Sequence, residues 1–308
     1  MTDALPSTSR RWAIAQMILC TFFWGAFFVF GKLAVREAPP LAVATLRFLV
    51  AGAVLLGVLA WREPGAFRLP RRDWGLALAL GATGVAAYNA LAFAGMPLAP
   101  ASDGAMISPS LNPVLTAALA AWIFREAFSP KRAVGLVLAI AGIAFIFVGP
   151  LLHAAASPTR WQGDALFLAS AVCWSIYTLV GKLTVGRFSA LASTTYASVV
   201  GALLLLPFSA RELAGVHWAA LTPAFWGAIV VLALLCTVAA FLFWYVAIDA
   251  LGASGTAAFL PLVPLFGVAL GMAMLGDRPG PLQWIGMALA LTGVALAAGI
   301  KLPGVRRD

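Results

Sequence analysis

The sequence predicts an all-α integral membrane protein with ten transmembrane helices arranged as two inverted five-helix repeats. Three observations support this prediction. Hydrophobic residues make up 63% of the 308 residues and charged residues only 10%, whereas a soluble domain carries roughly a quarter charged residues. The apolar stretches are continuous, as in membrane-spanning helices, and do not alternate with polar residues as in a β-barrel. The second half of the chain also repeats the pattern of the first.

The internal repeat can be followed residue by residue. The segment 23–33, FWGAFFVFGKL, returns at 173–183 as CWSIYTLVGKL, with Trp, Gly, Lys and Leu in register. Further pairs keep a nearly constant offset: Gly52 with Gly201, Trp74 with Trp226, Gly104 with Gly255, Glu126 with Asp277, Gly135 with Gly286, and Gly142 with Gly293. This spacing indicates duplication of a half-protein, which is how many secondary transporters are built.

Apolar runs bounded by charges and turn residues predict the ten spans. The spans of the first half are 12–33, 40–61, 74–95, 101–124 and 131–149. Those of the second half are 163–183, 189–208, 222–248, 253–275 and 281–300. The chain therefore divides into a first repeat at 1–149, a linker at 150–160 and a second repeat at 161–308. Because each half has an odd number of spans, the second half enters the membrane upside down relative to the first.

The basic residues predict the orientation of the chain. With the N-terminus in the cytoplasm, the outer side holds only Lys32, Arg36, Arg160, Arg211 and Arg278. The inner side holds Arg10, Arg11, Arg62, Arg68, Arg71, Arg72, Arg125, Lys131, Arg132, Lys182, Arg187, Lys301, Arg306 and Arg307. Such a bias indicates a multi-pass protein of the inner (plasma) membrane with both termini cytoplasmic. The net charge of +9 is therefore a topology signal and does not indicate a nucleic-acid partner.

The chain resembles the drug/metabolite transporter superfamily, specifically the ten-helix EamA-type exporters with two EamA repeats. The residues that carry the resemblance are Trp24-Gly25, Pro40, Arg47-Phe48, the proline-rich fourth and ninth spans, and the glycine pairs that follow Glu126 and Asp277. The fourth span departs from the family pattern at Asp103 and Asn112, which are more polar than its usual aliphatic run. The resemblance implies export of small metabolites, often amino acids, by alternating access through a central cavity. The aromatic-amino-acid exporters of the YddG type are a near neighbour.

Polar and aromatic side chains deep in the spans are candidates to line a substrate path, because a lipid-facing surface gains nothing from them. The predicted substrate-binding residues are Trp24, Phe27, Arg47, Tyr88, Asn89, Asn112, Trp174, Tyr177, Trp244 and Tyr245. Arg47 is the one charge well inside a span, where it costs about 2.5 to 3.5 kcal/mol near the bilayer centre. It either holds a substrate carboxylate or bridges backbone carbonyls. For the aromatic residues, the alternative is ordinary packing between helices.

Two proline pairs are candidate gating residues. Pro109 and Pro113 in the fourth span mirror Pro261 and Pro264 in the ninth. Proline removes a backbone donor and clashes with the preceding turn, so each pair is expected to break or bend its helix. Interrupted helices in corresponding positions of two inverted halves are typical of a transport site. The alternative is a packing kink.

These features predict a secondary transporter that exports small metabolites, amino acids in particular and aromatic ones among them, by alternating access. Its partners are a small-molecule substrate and the lipid bilayer, and one chain with two repeats can act as a monomer. The alternative is efflux of lipophilic cations. No Asp, Glu or His lies at the midpoint of a span, which favours facilitated diffusion or exchange over strict proton coupling; Asp103 is a partial candidate for a proton carrier.

An intramembrane enzyme is a remote alternative. The two histidines, His153 and His217, fall in loops without a partner motif, and no catalytic signature occurs. We therefore expect no enzymatic activity, no cofactor and no metal. The three cysteines each fall inside a span, where we expect buried apolar side chains.

Overall fold

Ten helices account for most of the residues that the structure describes. The computed structural model describes residues 10–124, 130–151 and 158–297, and these ranges contain helices and no strand. The helices are α1 Arg10–Ala34, α2 Pro40–Arg62, α3 74–95, α4 Ala101–Phe124, α5 Pro130–Leu151, α6 Arg160–Leu183, α7 Ala190–Gly215, α8 Pro223–Ile248, α9 Gly255–Leu275 and α10 Pro281–Ala297. Short 3-10 helices occupy Pro64–Phe67, Arg71–Asp73 and Trp218–Ala220.

The helices have the length and composition of membrane spans. Within the described residues, seven helices are long and apolar enough to cross a bilayer, namely α1, α2, α3, α6, α7, α8 and α9. Shorter apolar helices at Ala133–Gly149 and Pro281–Leu296 lie in α5 and α10. The predicted all-α membrane fold is thereby confirmed.

The main departure from the predicted spans is at α7. We expected this span to end at 208, but the helix continues through Pro207 to Gly215. Its last turns place Glu212 beside the start of α2, where Glu212 Oε2 accepts a hydrogen bond from Ala42 N at 2.9 Å. A carboxylate at a helix N-terminus satisfies one of the free N–H groups and complements the helix dipole. This contact gives the polar extension of α7 a stabilising partner.

The helix ends lie on two faces of the bundle. We call one of them the terminal face; it carries the start of α1 and the α2–α3 and α6–α7 connections. On this face Arg187 Nη1 lies 3.3 Å from Asp73 Oδ1. The opposite face carries the end of α1 and the starts of α2, α4, α6 and α10; there Arg160 Nε lies 2.7 Å from Asp103 Oδ2.

Each repeat packs against the other in an equivalent way. Helix α1 packs on α8 and α9 of the second repeat, and its counterpart α6 packs on α3 and α4 of the first. Two further contacts join equivalent helices, α2 with α7 and α5 with α10. This reciprocal packing is that of two inverted five-helix repeats, as the sequence predicts. The predicted domain limits and the linker at 150–160 remain a prediction, because residues 152–157 lie outside the described ranges.

The glycine pairs of the sequence repeat bring α5 and α10 into backbone contact. A Cβ atom built on Gly142 would lie 2.5 Å from the carbonyl oxygen of Gly286, and one on Gly293 would lie 2.5 Å from that of Gly135. Real Cβ contacts are not this short. In a membrane, where helix association depends on close packing, small residues allow backbones to approach in this way.

A second pair of equivalent contacts fixes how α1 and α6 cross the proline-bearing helices. A Cβ atom on Gly25 in α1 would lie 2.8 Å from the carbonyl oxygen of Val263 in α9. In the other repeat, Ser175 of α6 donates to the carbonyl oxygen of Asn112 in α4 at 3.2 Å. Both acceptor residues immediately precede a proline. The crossing that positions the centre of the protein is therefore built in the same way in both repeats.

Candidate functional site: a cavity between the repeats

A cavity of about 870 Å³ lies between the two repeats. This volume is within the range of small-molecule binding sites. All ten predicted substrate-binding residues line it, together with residues of α7 and α9. The cavity reaches the terminal face at the α6–α7 connection, where Val185 and Gly186 line it and are exposed.

Aromatic rings from both repeats form much of the cavity wall. On one side, the Trp174 ring centroid lies 5.1 Å from that of Tyr88 and 5.1 Å from that of Tyr177. On the other side, the centroids of Trp24 and Trp244 lie 5.2 Å apart. Stacked and tilted aromatic pairs at these separations are stabilising, and their faces offer a flat surface to a planar or cationic substrate group.

Phe241 and Thr194 belong to the wall although neither was among the predicted site residues. The Phe241 ring joins the two aromatic groups, with its centroid 5.7 Å from that of Trp24 and 6.5 Å from that of Trp174. Thr194 shares a hydrogen bond with the hydroxyl of Tyr245. Phe241 precedes Trp244 by three residues on one helical face, a spacing that indicates its position. A threonine in an apolar span gives no comparable signal.

Arg47 is buried at the junction of four helices and makes four hydrogen bonds. Its Nε donates to the carbonyl oxygen of Leu232 and to Thr237 Oγ1, both at 3.1 Å. Its Nη2 donates to Thr237 Oγ1 at 2.8 Å, and its Nη1 donates to Asn89 Oδ1 at 3.1 Å. Leu232 and Thr237 lie in a π-helical segment of α8, Val231–Ala239, and such segments are frequent at functional sites. Arg47 therefore ties α2 to α3 and α8.

In the described part of the chain, neutral groups surround the charged guanidinium of Arg47. The guanidinium carbon lies 4.6 Å from the ring centroid of Phe27 and 4.8 Å from that of Phe48. None of the ion pairs found among the described residues includes Arg47. A guanidinium has five N–H groups. The four bonds use one N–H on each nitrogen, because the single N–H of Nε is shared between two acceptors. One N–H on Nη1 and one on Nη2 thus remain for a further acceptor.

The two buried asparagines differ in how they are engaged. Asn89 accepts from Arg47 and donates its Nδ2 to the carbonyl oxygen of Val85 at 2.8 Å. It therefore orients Arg47, and both Oδ1 and Nδ2 take part in hydrogen bonds within the protein. Asn112 lines the cavity from α4, and its Oδ1 is buried without a hydrogen-bond partner in the described part of the chain. A buried acceptor without a partner is destabilising, so Asn112 Oδ1 is suited to a donor on a bound molecule.

The two proline pairs have different surroundings. Pro109 and Pro113 line the cavity, yet α4 remains one helix through both. In the other repeat, Gly252 adopts φ 75° and ψ 163° between α8 and α9, and a turn at 258–261 precedes the helix Leu262–Leu270. Pro261 ends that turn and Pro264 follows it, while their neighbours Leu260 and Val263 line the cavity. The helical interruption is thus confined to α9, and a gating role for the prolines stays a prediction.

Nothing in the described residues suggests a metal centre. No group of three His, Cys, Asp or Glu side chains lies close enough to hold a metal ion in this part of the chain. Cys20 and Cys236 are buried and Cys173 is half-buried. His153, one of the two histidines, lies outside the described residues.

Comparison with known proteins places this geometry in a family. The EamA-like transporter family matches the chain twice, over residues 11–148 and 161–299. An uncharacterized transporter of Bacillus subtilis, YyaM, is 31% identical over 284 residues, which are 92% of each protein. A probable terminal-alkyne amino-acid exporter of Streptantibioticus cattleyicolor is 30% identical over 288 residues, again 92% of each.

The fold is also found among solved structures. One crystal structure matches with a TM-score of 0.64 and covers 92% of this chain and 96% of its own. Its sequence identity of 21% supports the fold alone. The doubled family match, the full-length relatives and the cavity between inverted repeats lead to one conclusion: this chain belongs to the EamA-like transporter family of membrane transporters.

Proposed function

We propose that this transporter exports amino acids, or small metabolites that likewise carry a carboxylate and an ammonium group, across the inner membrane by alternating access. The observation that carries the proposal is the cavity chemistry: an aromatic wall that contains a buried guanidinium, which has no carboxylate partner among the described residues. The probable amino-acid exporter of Streptantibioticus cattleyicolor supports the substrate class.

The two ends of an amino acid match the polar groups of the cavity. A carboxylate accepts hydrogen bonds from two guanidinium nitrogens at once, and Arg47 retains one N–H on each of Nη1 and Nη2. The ammonium group is a donor, and Asn112 Oδ1 is a buried acceptor that no described residue engages. The aromatic wall of Trp174 and Tyr88 then faces the side chain of the substrate. Asn89 and Thr237 hold the guanidinium in place.

Efflux of lipophilic cations, the second candidate, fits the cavity less well. Aromatic faces attract cations, but the described lining residues include Arg47 and Lys182 and no Asp or Glu. A positive charge inside the cavity repels a cationic substrate. The cavity charge therefore favours a substrate with an anionic group.

The orientation follows from the distribution of basic residues. Exporting transporters of this architecture load from the cytoplasm, and the cavity reaches the terminal face, which the basic residues predict to be cytoplasmic. The protein would then be cytoplasm-open, with both termini inside. One chain supplies both repeats and the whole cavity, so a monomer suffices.

Flux measurements in proteoliposomes test the proposal. The panel contains labelled aromatic, aliphatic and hydroxylated amino acids, the decarboxylated amine of one of them, and a lipophilic cation. We expect saturable flux of the amino acids and not of the amine or the cation. Arg47→Met should abolish this flux, whereas Arg62→Met, a change on the same helix outside the cavity, should not.

A second variant separates binding from folding. Arg47→Lys keeps a positive charge but lacks the planar fork that binds a carboxylate in two places. We expect it to raise the substrate concentration for half-maximal flux. Transport of the lipophilic cation in place of amino acids would support the second candidate, and amino-acid flux that survives Arg47→Met would refute the site.

The size of the cavity is tested at Gly84. A Cβ atom there would lie 2.2 Å from Cδ2 of Tyr177, so Gly84→Ala should push this ring into the cavity. We expect flux of aromatic substrates to fall more than flux of alanine. An equal effect on both would contradict the location of the side-chain pocket.

A further inference from the structure

A polar cluster closes the opposite face of the bundle, away from the cavity. Asp103, at the start of α4, is fully buried and forms a two-point pair with Arg160 of α6, with Nε–Oδ2 at 2.7 Å and Nη2–Oδ1 at 2.8 Å. Gln283 of α10 donates to the same carboxylate at 2.7 Å. These bonds join α4 of the first repeat to α6 and α10 of the second. They must break or rearrange if the repeats separate at this face.

A second carboxyl group lies in this cluster, and none of the ion pairs among the described residues includes it. Asp164 follows Arg160 by one helical turn and is 1% exposed. Its carboxyl group lies next to that of Asp103 and interacts with it. Its Oδ1 is buried and has no hydrogen-bond partner among the described residues. The guanidinium of Arg160, one helical turn away, donates from Nε and Nη2 to Asp103. Two facing carboxylates therefore share one guanidinium.

The other charged groups described around the cluster do not supply the missing partner. Lys32 of α1 donates its Nζ to the carbonyl oxygen of Ala99 at 2.6 Å. Asp277, after α9, accepts from Ser102 N at 2.8 Å and adds a further negative charge. Arg36, beyond Lys32 on the α1–α2 connection, and Arg278, next to Asp277, are exposed. In the described residues, α3 ends here without a charged side chain and α10 contributes the neutral Gln283.

The two buried carboxyl groups exceed the guanidinium between them by one negative charge. When ionised, Asp103 and Asp164 carry two negative charges, while Arg160 carries one positive charge. A proton between Asp103 and Asp164 makes these three side chains neutral and gives the buried Asp164 oxygen a hydrogen bond. Two carboxylates that share one buried site favour this arrangement, because both cannot ionise without strong repulsion.

We infer that the Asp103–Asp164 pair is a proton-binding site that locks the opposite face, holding one shared proton when that face is closed and releasing it when the face opens to water. The bound ligand is the proton itself, which comes from the solution on that side of the membrane. The inference rests on the proposed alternating-access function. External pH would then control how readily the opposite face opens, and the proton need not be transported across the membrane.

The sign of the pH dependence follows from proton linkage. The closed state binds one proton more than the open state, so the closed fraction falls as pH rises. The equilibrium constant between the two states changes by at most about tenfold per pH unit for one linked proton. Acid outside the cell would hold the opposite face shut, and neutral or alkaline conditions would free it.

A distance measurement between the repeats at the opposite face tests the inference. Spin labels at Pro97 and Trp284, both exposed and one in each repeat, are introduced after replacement of the three native cysteines. Distance distributions are recorded in nanodiscs without substrate from about pH 4 to about pH 9. We expect a short distance at low pH and a growing population of longer distances as pH rises.

Two carboxyl variants give the decisive comparison. Asp164→Asn keeps the shape and donates permanently to Asp103, so the face should stay closed at every pH. Asp73→Asn removes an equally buried carboxylate that pairs with Arg187 on the terminal face, and the distance distribution should then depend on pH as in the wild type. A wild-type distance distribution that does not change with pH overturns the inference. So does an Asp164→Asn distribution that still changes with pH.

The test is independent of the substrate. A pH-dependent closure without amino-acid flux would leave the proton site standing and refute the proposed cargo. If amino acids are transported but closure of the opposite face does not depend on pH, the proposed cargo stands and the proton site is refuted.

Discussion

The hydrogen-bond network of Arg47 gives a quantitative prediction at Thr237. Thr237 Oγ1 accepts from Arg47 Nε and Nη2 and donates to the carbonyl oxygen of Leu232 at 2.9 Å. Thr237→Val keeps the shape and removes all three bonds, although Nε can still donate to Leu232. The Nη2 donor is then buried without its partner.

The expected loss of stability is about 1 to 3 kcal/mol. A hydrogen bond to a charged group contributes about 1.5 to 3 kcal/mol in soluble proteins. Interhelical bonds in membranes average about 0.6 and reach about 1.7 kcal/mol, because the unfolded chain in lipid also finds partners. Two bonds to a guanidinium place Thr237→Val above that average.

Equilibrium unfolding in mixed micelles measures this effect. Thr292→Val is the control, since Thr292 Oγ1 donates only to Ala288 O of its own helix and is exposed; it should change the unfolding free energy by less than about 0.5 kcal/mol. In an Arg47→Met background, Thr237→Val should lower the unfolding free energy by less, because the guanidinium donors to Thr237 are already absent. Equal losses for Thr237→Val and Thr292→Val, or an undiminished loss in that background, would refute the reasoning.

Two further predictions concern helix packing and pH. Gly286→Leu should lower the thermal midpoint, because a Cβ atom there would lie 2.6 Å from a backbone oxygen of α5, while Gly57→Leu, with open space, should not; equal midpoints would refute the contact. Glu37 accepts from the backbone N–H and the hydroxyl of Thr222, which lowers the pKa of Glu37 from its usual 4.5. The stability that Glu37 contributes is therefore present above this usual pKa and is lost as pH falls through the lower folded value. Glu37→Gln should accordingly be less stable than wild type at neutral pH and converge with it in acid; an unfolding difference independent of pH would contradict this.

The site could be predicted from sequence as far as residue type and depth allowed. Trp24 and Trp174 were recognised because they occupy matched positions in a repeated segment, and Arg47 because a charge inside a span is costly. The role of Asn89 was not recognisable in the same way. Whether an amide binds a substrate or a neighbouring guanidinium depends on which helix faces it, and the sequence does not contain that contact.

Asp164 shows the same limit more sharply. Near the predicted start of the sixth span, it has the pattern of an ordinary interfacial carboxylate, and no motif connects it to Asp103. Only the packing of α6 against α4 brings the two carboxyl groups together and buries them. Likewise, two matched proline pairs in the sequence gave no indication that α9 would be interrupted and α4 would not.

The sequence by itself determined that the chain spans a membrane, how many helices it has and that its halves are inverted. These properties follow from hydrocarbon thickness, from the need to satisfy every backbone hydrogen bond within a helix, and from an odd number of spans per repeat. The tertiary structure alone decided which polar groups meet. Hydrogen bonds such as those of Arg47 to Leu232 and Thr237 join residues far apart in the chain, and their geometry depends on helix rotation and tilt, which packing sets and hydropathy does not record.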